Sequence, residues 1–245
     1  MHILDDHSGL SVRARRLLER TGTRCQSPAS RIPTEFLLLP DGSGRQIRTP
    51  MLLVLRREGF DDRYGGLRYQ VRRSRLVGGE RHETRTAWEF DLGALMRPDP
   101  MGGWTFEWSG ERLPSAFHYL VHSDGRVGVD DGTPVFLEIA PSVPALIESH
   151  ALTDMVAGWD QCGLDVDRFE LARRLDGLSE VREASGPTVR WRVSDDVVVQ
   201  EFRHWSSTSP RRPRAFIWTR DAAGRRRVES AAARMVSVRT VERLR

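Results

Sequence analysis

The stretch Leu67-Arg68-Tyr69-Gln70-Val71-Arg72 alternates apolar and polar side chains, and residues 84–90 and 104–108 repeat the alternation. A period of two puts every second side chain on one face, which is the signature of a half-buried β-strand and not of a helix. The breaks between these stretches are turn chemistry: Gly78-Gly79, and a Pro/Gly-rich loop over residues 98–103. A hairpin follows, Phe117-His118-Tyr119-Leu120-Val121 and Val127-Gly128-Val129 across Ser123-Asp124-Gly125, where Asp-Gly supplies the positive φ of a tight turn. Val135, Leu137 and Ile139 add a further strand, and Glu35 with residues 36–39 forms a short one ahead of the turn at residues 40–44.

Helices flank this sheet. Leu10, Ala14, Leu17 and Leu18 recur at helical spacing behind Ser8, with Gly22 as a stop. Thr49-Pro50 opens a helix that runs through Leu55 and Phe60, although the apolar run at residues 51–55 equally fits a buried strand. Ser142 caps a helix with Pro144 in its first turn; Val143, Ile147, Ala151 and Met155 fall on one face and Gly158 ends it. The fold class is therefore α+β, with a largely antiparallel or mixed sheet and flanking helices over residues 1–160.

A smaller α+β C-terminal unit is expected over residues 161–245. Asp167-Arg168-Phe169-Glu170 has capping-box spacing, and Phe169, Ala172 and Leu175 give a short helix that Gly177 stops. Val189, Trp191 and Val193 alternate, Asp195-Asp196 turns the chain, and Val197, Val199 and the run to Trp205 bring it back as a hairpin. Phe216-Ile217-Trp218 is another strand. Val228, Ala232 and Met235 suggest a last helix, whereas Val236 and Val238 favour a strand at the end.

No apolar segment follows a basic start, and nowhere do eighteen uninterrupted apolar residues occur, so a cytoplasmic protein with no membrane partner is expected. Cys25 and Cys162 are too few for a disulfide framework or a zinc knuckle and read as buried free thiols. All 38 basic residues are arginine; the formal charge is only +4, and the high isoelectric point reflects a group that does not deprotonate. Without lysine the chain has no side-chain amine for a Schiff base or a phosphate-loop cation.

The motif-borne enzyme classes find no foothold: there is no nucleophile elbow, no dinucleotide or phosphate-loop glycine pattern and no His-Glu-x-x-His. His118 and His122 share a strand face at a separation of about 13 Å, against the roughly 6 Å that a metal pair needs. His82, His150 and His204 read as isolated surface or capping histidines. Asp61-Asp62, Asp130-Asp131 and Asp195-Asp196 fall at expected turns, where aspartate serves the backbone. No catalytic residue, metal or cofactor is assigned.

Two arginine clusters in expected loops are candidate binding residues: Arg211, Arg212 and Arg214, flanked by Trp205 and Trp218, and Arg225-Arg226-Arg227. Arginine beside exposed aromatics suits phosphate contact with base stacking. It equally suits a protein partner, because guanidinium groups bind carboxylates bidentately.

One series of segments carries a family resemblance: Phe60-Asp61-Asp62-Arg63-Tyr64-Gly65-Gly66-Leu67, then Trp88-Glu89-Phe90-Asp91-Leu92, then Gly125-Arg126-Val127, then Ala140-Pro141-Ser142 leading into Leu146-Ile147-Glu148. This order resembles the SUKH superfamily of bacterial immunity proteins over about residues 30–160 and leaves the last third outside it. The resemblance implies a non-catalytic α+β scaffold that neutralises a polymorphic toxin by protein–protein binding, with specificity in surface loops. The slight basic balance points to an acidic or non-nuclease toxin as that partner. The alternatives are an arginine-rich nucleic-acid-binding accessory protein and an enzyme whose site assembles from distant residues.

Overall fold

The computed structural model of the protein describes residues 1–26, 36–78, 80–112, 117–130, 132–133, 135–164, 167–203 and 213–243. Helix α1 (Val12–Thr21) begins where Ser11 Oγ accepts the Ala14 N–H at 3.2 Å, and it buries Ala14, Leu17 and Leu18. Strand β1 (Thr23–Arg24) follows, then a hairpin of β2 (Leu38–Pro40) and β3 (Gln46–Arg48) that leads into α2 (Met51–Tyr64). The ambiguous apolar run at residues 51–55 is thus helical. Consecutive helical residues are about 100° apart, so five apolar residues in a row cover more than the whole circumference. Leu53 and Val54 reach the core, while Met51, Leu52 and Leu55 face outward.

The helix ends at Gly65, whose N–H bonds the Asp61 carbonyl, and Gly66 takes φ +76° so that β4 (Leu67–Val77) can start at once on a new heading. Asp61 and Asp62 therefore lie in the last helical turn instead of a loop. Strands β5 (Glu80–Pro98), β6 (Trp104–Glu111), β7 (His118–His122), β8 (Val127–Asp130) and β9 (Leu137–Ala140) complete a seven-stranded sheet in the order β1-β4-β5-β6-β7-β8-β9, antiparallel throughout. Register shifts after Glu89 and Leu92 break the β5–β6 ladder, which is how one strand of 19 residues bends with the sheet.

Helix α3 (Val143–Val156) is capped by Ser142, whose Oγ accepts the Ala145 N–H at 3.3 Å. Beyond it come β10 (Asp160–Gln161), α4 (Arg168–Arg173), β11 (Ser179–Glu180), a 3₁₀ turn at Arg182–Ala184, β12 (Val189–Val193), β13 (Val197–Phe202), β14 (Arg214–Thr219) and α5 (Ala222–Arg243). Asp167 caps α4 by accepting from Phe169 and Glu170. These strands form a five-stranded antiparallel sheet, order β10-β14-β13-β12-β11. Helix α5 runs through residues 236–243, where a strand had been the alternative.

The layers alternate sheet, helices, sheet, helices. Phe60 of α2 packs on Phe106 and Trp108, and His150 of α3 packs on Trp88, so both helices lie on one face of the first sheet. The opposite side of α3 presents Leu152 and Val156 to Trp191, Val198 and Trp218 of the second sheet. On that sheet's far face Val197, Val199 and Ile217 meet Leu171 of α4 and Val228 of α5. The central strand β13 is covered on both faces, which explains its unbroken Val197-Val198-Val199.

Ion pairs tie α3 to its neighbours. Glu148, 1% exposed, accepts from Ser11 N–H at 2.6 Å, Ser11 Oγ at 2.7 Å and Arg13 at 3.1 Å. Asp154 accepts from Arg20 of α1 at 2.5 Å and from the Arg72 backbone N–H of β4 at 3.0 Å. Burial pushes the Asp154 carboxyl up, but the hydrogen bonds from Arg72 and Arg20 more than offset it and hold it below the usual range. The cysteines differ from expectation: Cys25 is exposed beside the edge strand β1 and Cys162 is half-buried.

Candidate functional site

A helix layer keeps two sheets apart, and where the helix stops short of filling the space a gap remains. The α3 positions Leu146, Ser149, His150 and Thr153, spaced i, i+3, i+4 and i+7, form the floor of such a gap. Trp88 and Tyr119 of the first sheet stand on one side, and Gln200, Phe216 and Trp218 of the second stand on the other. The cleft measures about 420 Å³. Its far wall follows from the strand period: Arg214, Phe216 and Trp218 alternate along β14 and pair in register with Phe202, Gln200 and Val198 of β13.

Two titratable groups of the cleft, His150 and Tyr119, are shifted by burial. Burial drives the His150 imidazole well below its ordinary value, and its Nδ1 shares a hydrogen bond of 2.7 Å with the Tyr69 hydroxyl. Tyr119 is pushed up by burial and by the Glu111 carboxylate, which accepts its hydroxyl at 3.1 Å. Glu111 also pairs with Arg73 at 3.5 Å. A general acid or base works best when its pKa lies near the working pH, and burial moves His150 and Tyr119 away from it in opposite directions. The donors are different. The Trp88 indole N–H and the Ser74 Oγ are buried without a hydrogen-bond partner among the described residues, and both residues line the cleft. Arg203 and Arg214, at the rim, are exposed and have no carboxylate partner among the described residues.

Of the residues that the sequence suggested for binding, Arg214 and Trp218 come together on this wall. Trp218 corrects the expectation of an exposed stacking face: it is 6% exposed, with its ring on Trp191 at 6.0 Å and on Phe216 at 5.9 Å. Trp205, Arg211 and Arg212 lie outside the described residues, as do Gly79, Asp131, His204 and Glu35. The Arg225-Arg226-Arg227 cluster is on the first turns of α5 and not in a loop; Arg225 pairs with Asp160 at 2.5 Å and Arg227 with Asp196 at 2.8 Å. His118 bonds Glu107 at 2.8 Å and His122 bonds the Gly102 carbonyl at 2.9 Å. Among the described residues no group of His, Cys, Asp and Glu is placed to hold a metal ion.

Sequence reasoning missed His150, which is a core residue of α3 and not a surface or capping one. It also missed Trp88, Gln200 and Phe216 as the lining of one cleft. The alternation Arg214-x-Phe216-x-Trp218 was a usable signal for one side. Nothing local joins it to Trp88.

A second surface is apolar and open. Met51, Leu52 and Leu55 on the outer face of α2 are 67%, 59% and 65% exposed, and Phe36 and Leu38 at the preceding hairpin are 70% and 61% exposed. Leu38 pairs with Arg48 across the hairpin; Arg45 and Arg48 of the hairpin and Arg56 of α2 are exposed, and Arg56 Nε donates to the Ser123 carbonyl at 3.2 Å. A monomer seldom leaves large apolar side chains clustered in water without use.

These features define an α+β protein with two antiparallel sheets on either side of a helical layer. No family model matches the chain, and no similar curated protein and no similar solved structure was found. No helix among the described residues is long and apolar enough to cross a membrane.

Proposed function

We propose that the chain is a non-catalytic binding protein that acts in the cytoplasm by covering another protein. The SUKH-like resemblance makes the catalytic domain of a polymorphic toxin the partner. The observation that carries this reading is the outer face of α2, where Met51, Leu52 and Leu55 stand in solvent. An exposed apolar spot is the make-up of an interface centre, and the exposed arginines of the preceding hairpin and of α2, Arg45, Arg48 and Arg56, suit a partner with acidic side chains. Gly65 and Gly66 carry the chain from α2 directly into β4, the exit from helix to strand that the SUKH-like reading expects of this segment.

Coexpression with the toxin-like product of an adjacent gene tests the reading. Growth rescue and a complex that survives gel filtration are expected, and Leu52→Asp with Leu55→Asp should abolish both while leaving the chain folded. Continued killing in the presence of soluble wild-type protein, or an unaltered complex with the double variant, overturns it.

A further inference from the structure

The cleft over α3 is separate from the α2 surface and has its own chemistry. Two sheets and a helix close around about 420 Å³ of space, within the range of roughly 300–1,000 Å³ typical of small-molecule sites. Its walls are aromatic on both sides, with Trp88 and Tyr119 facing Phe216 and Trp218. One feature of this lining calls for something that the described chain does not provide. At the rim Arg203 and Arg214 point no charge at any carboxylate of the described chain, in contrast to Arg73, which is already committed to Glu111.

We propose that this cleft binds a small aromatic acid: a flat apolar body lodged between the two sheets, and one carboxylate or phosphate held by Arg203 and Arg214. The polarity of the site fixes this class. The facing aromatic rings favour a flat apolar body over a free inorganic anion. The two arginines favour an anionic group over a cation or a neutral hydrocarbon. His150 stays neutral, so it adds no charge to compete with the arginines for the anion.

The test uses two fluorescent probes with the same ring system, 8-anilinonaphthalene-1-sulfonate, which is anionic, and N-phenyl-1-naphthylamine, which is not. The full chain should bind the anionic probe at one to one, more tightly than the neutral one, with quenching of tryptophan emission. Arg203→Gln with Arg214→Gln, both at exposed positions, should weaken the anionic probe about tenfold or more and leave the neutral probe unchanged. Thr153→Trp fills the floor and should remove both; should that variant fail to fold, the arginine pair decides alone. Leu52→Asp with Leu55→Asp should change neither. Then 2-naphthoate against 2-naphthyl phosphate tells which anionic group is preferred. The proposal is overturned if neither probe binds, if both bind equally and the arginine variants have no effect, or if binding disappears with the α2 variant, which would place the probe on the other surface.

Discussion

Helices α2 and α3 are both 14 residues long and lie on the same face of the seven-stranded sheet, α3 apolar along its length and α2 apolar all round its first five residues, yet they end in different surroundings. Ten residues of α3 are buried, because the second sheet closes over the side that the first leaves open. On α2 only Leu53, Val54, Arg57 and Phe60 are buried. A helix that is hydrophobic all round needs two partners. The chain supplies both to α3 and one to α2, and the difference leaves Met51, Leu52 and Leu55 in water.

The sharpest break of that contrast is a matched pair of truncations. Leu152→Ala, at a side chain with no exposure and a sheet on either side of its helix, should cost about 2–5 kcal/mol in denaturant unfolding. Leu55→Ala on α2 should stay within about 0.5 kcal/mol; equal losses would dissolve the distinction. Next in size is Asp154→Asn, which strips Arg20 and Arg72 of their carboxylate and should cost about 1–3 kcal/mol, less than a fully buried pair because both arginines reach solvent. The pH dependence follows from the sign of the shift. The Asp154 carboxyl is held lower in the folded state than in the unfolded chain, so its contribution is complete above about pH 4 and is lost as the pH falls through the folded value. Acid unfolding should therefore be shallower for Asp154→Asn than for wild type. Trp191→Phe removes the indole N–H that donates to Ser149 Oγ at 2.8 Å, and should weaken the join between α3 and the second sheet by about 1 kcal/mol. Smallest of all, Leu52→Asp with Leu55→Asp should leave the melting temperature nearly unchanged while altering only association.

Much of this fold was legible because local patterns and tertiary contacts agree. Ser142 and Pro144 start α3, Asp124-Gly125 closes the β7–β8 hairpin, and the alternation at Leu67, Tyr69 and Val71 points three side chains into the core. What could not be read is where a second layer lands. The face through Val143, Ile147 and Ala151 is visible in the sequence, although Met155, expected on it too, is exposed; that Leu152 and Val156 on another side are also covered depends on strands some distance further along. The run at residues 51–55 is the converse, apolar yet only partly buried, since the sequence carries no mark of which sides remain open. Thr84 to Phe90 announced a strand, but its continuation through Pro98 passes over two bulges where the alternation is lost. The cleft was illegible for the same reason: Trp88, His150 and Trp218 are brought together by the stacking of layers, and no spacing in the chain records it. Only the arginine and tryptophan on β14 gave a hint, and burial changed what that tryptophan can do.

The position of α3 between two sheets also sets an order of events during synthesis. The first sheet and α3 are complete by residue 156, whereas β14, which helps to close over Leu152 and Val156, ends at Thr219. At roughly 5–20 residues per second a ribosome needs about 3–12 s to make the intervening ~60 residues. For that interval the side of α3 that carries Leu152 and Val156 has no covering strands from its own chain.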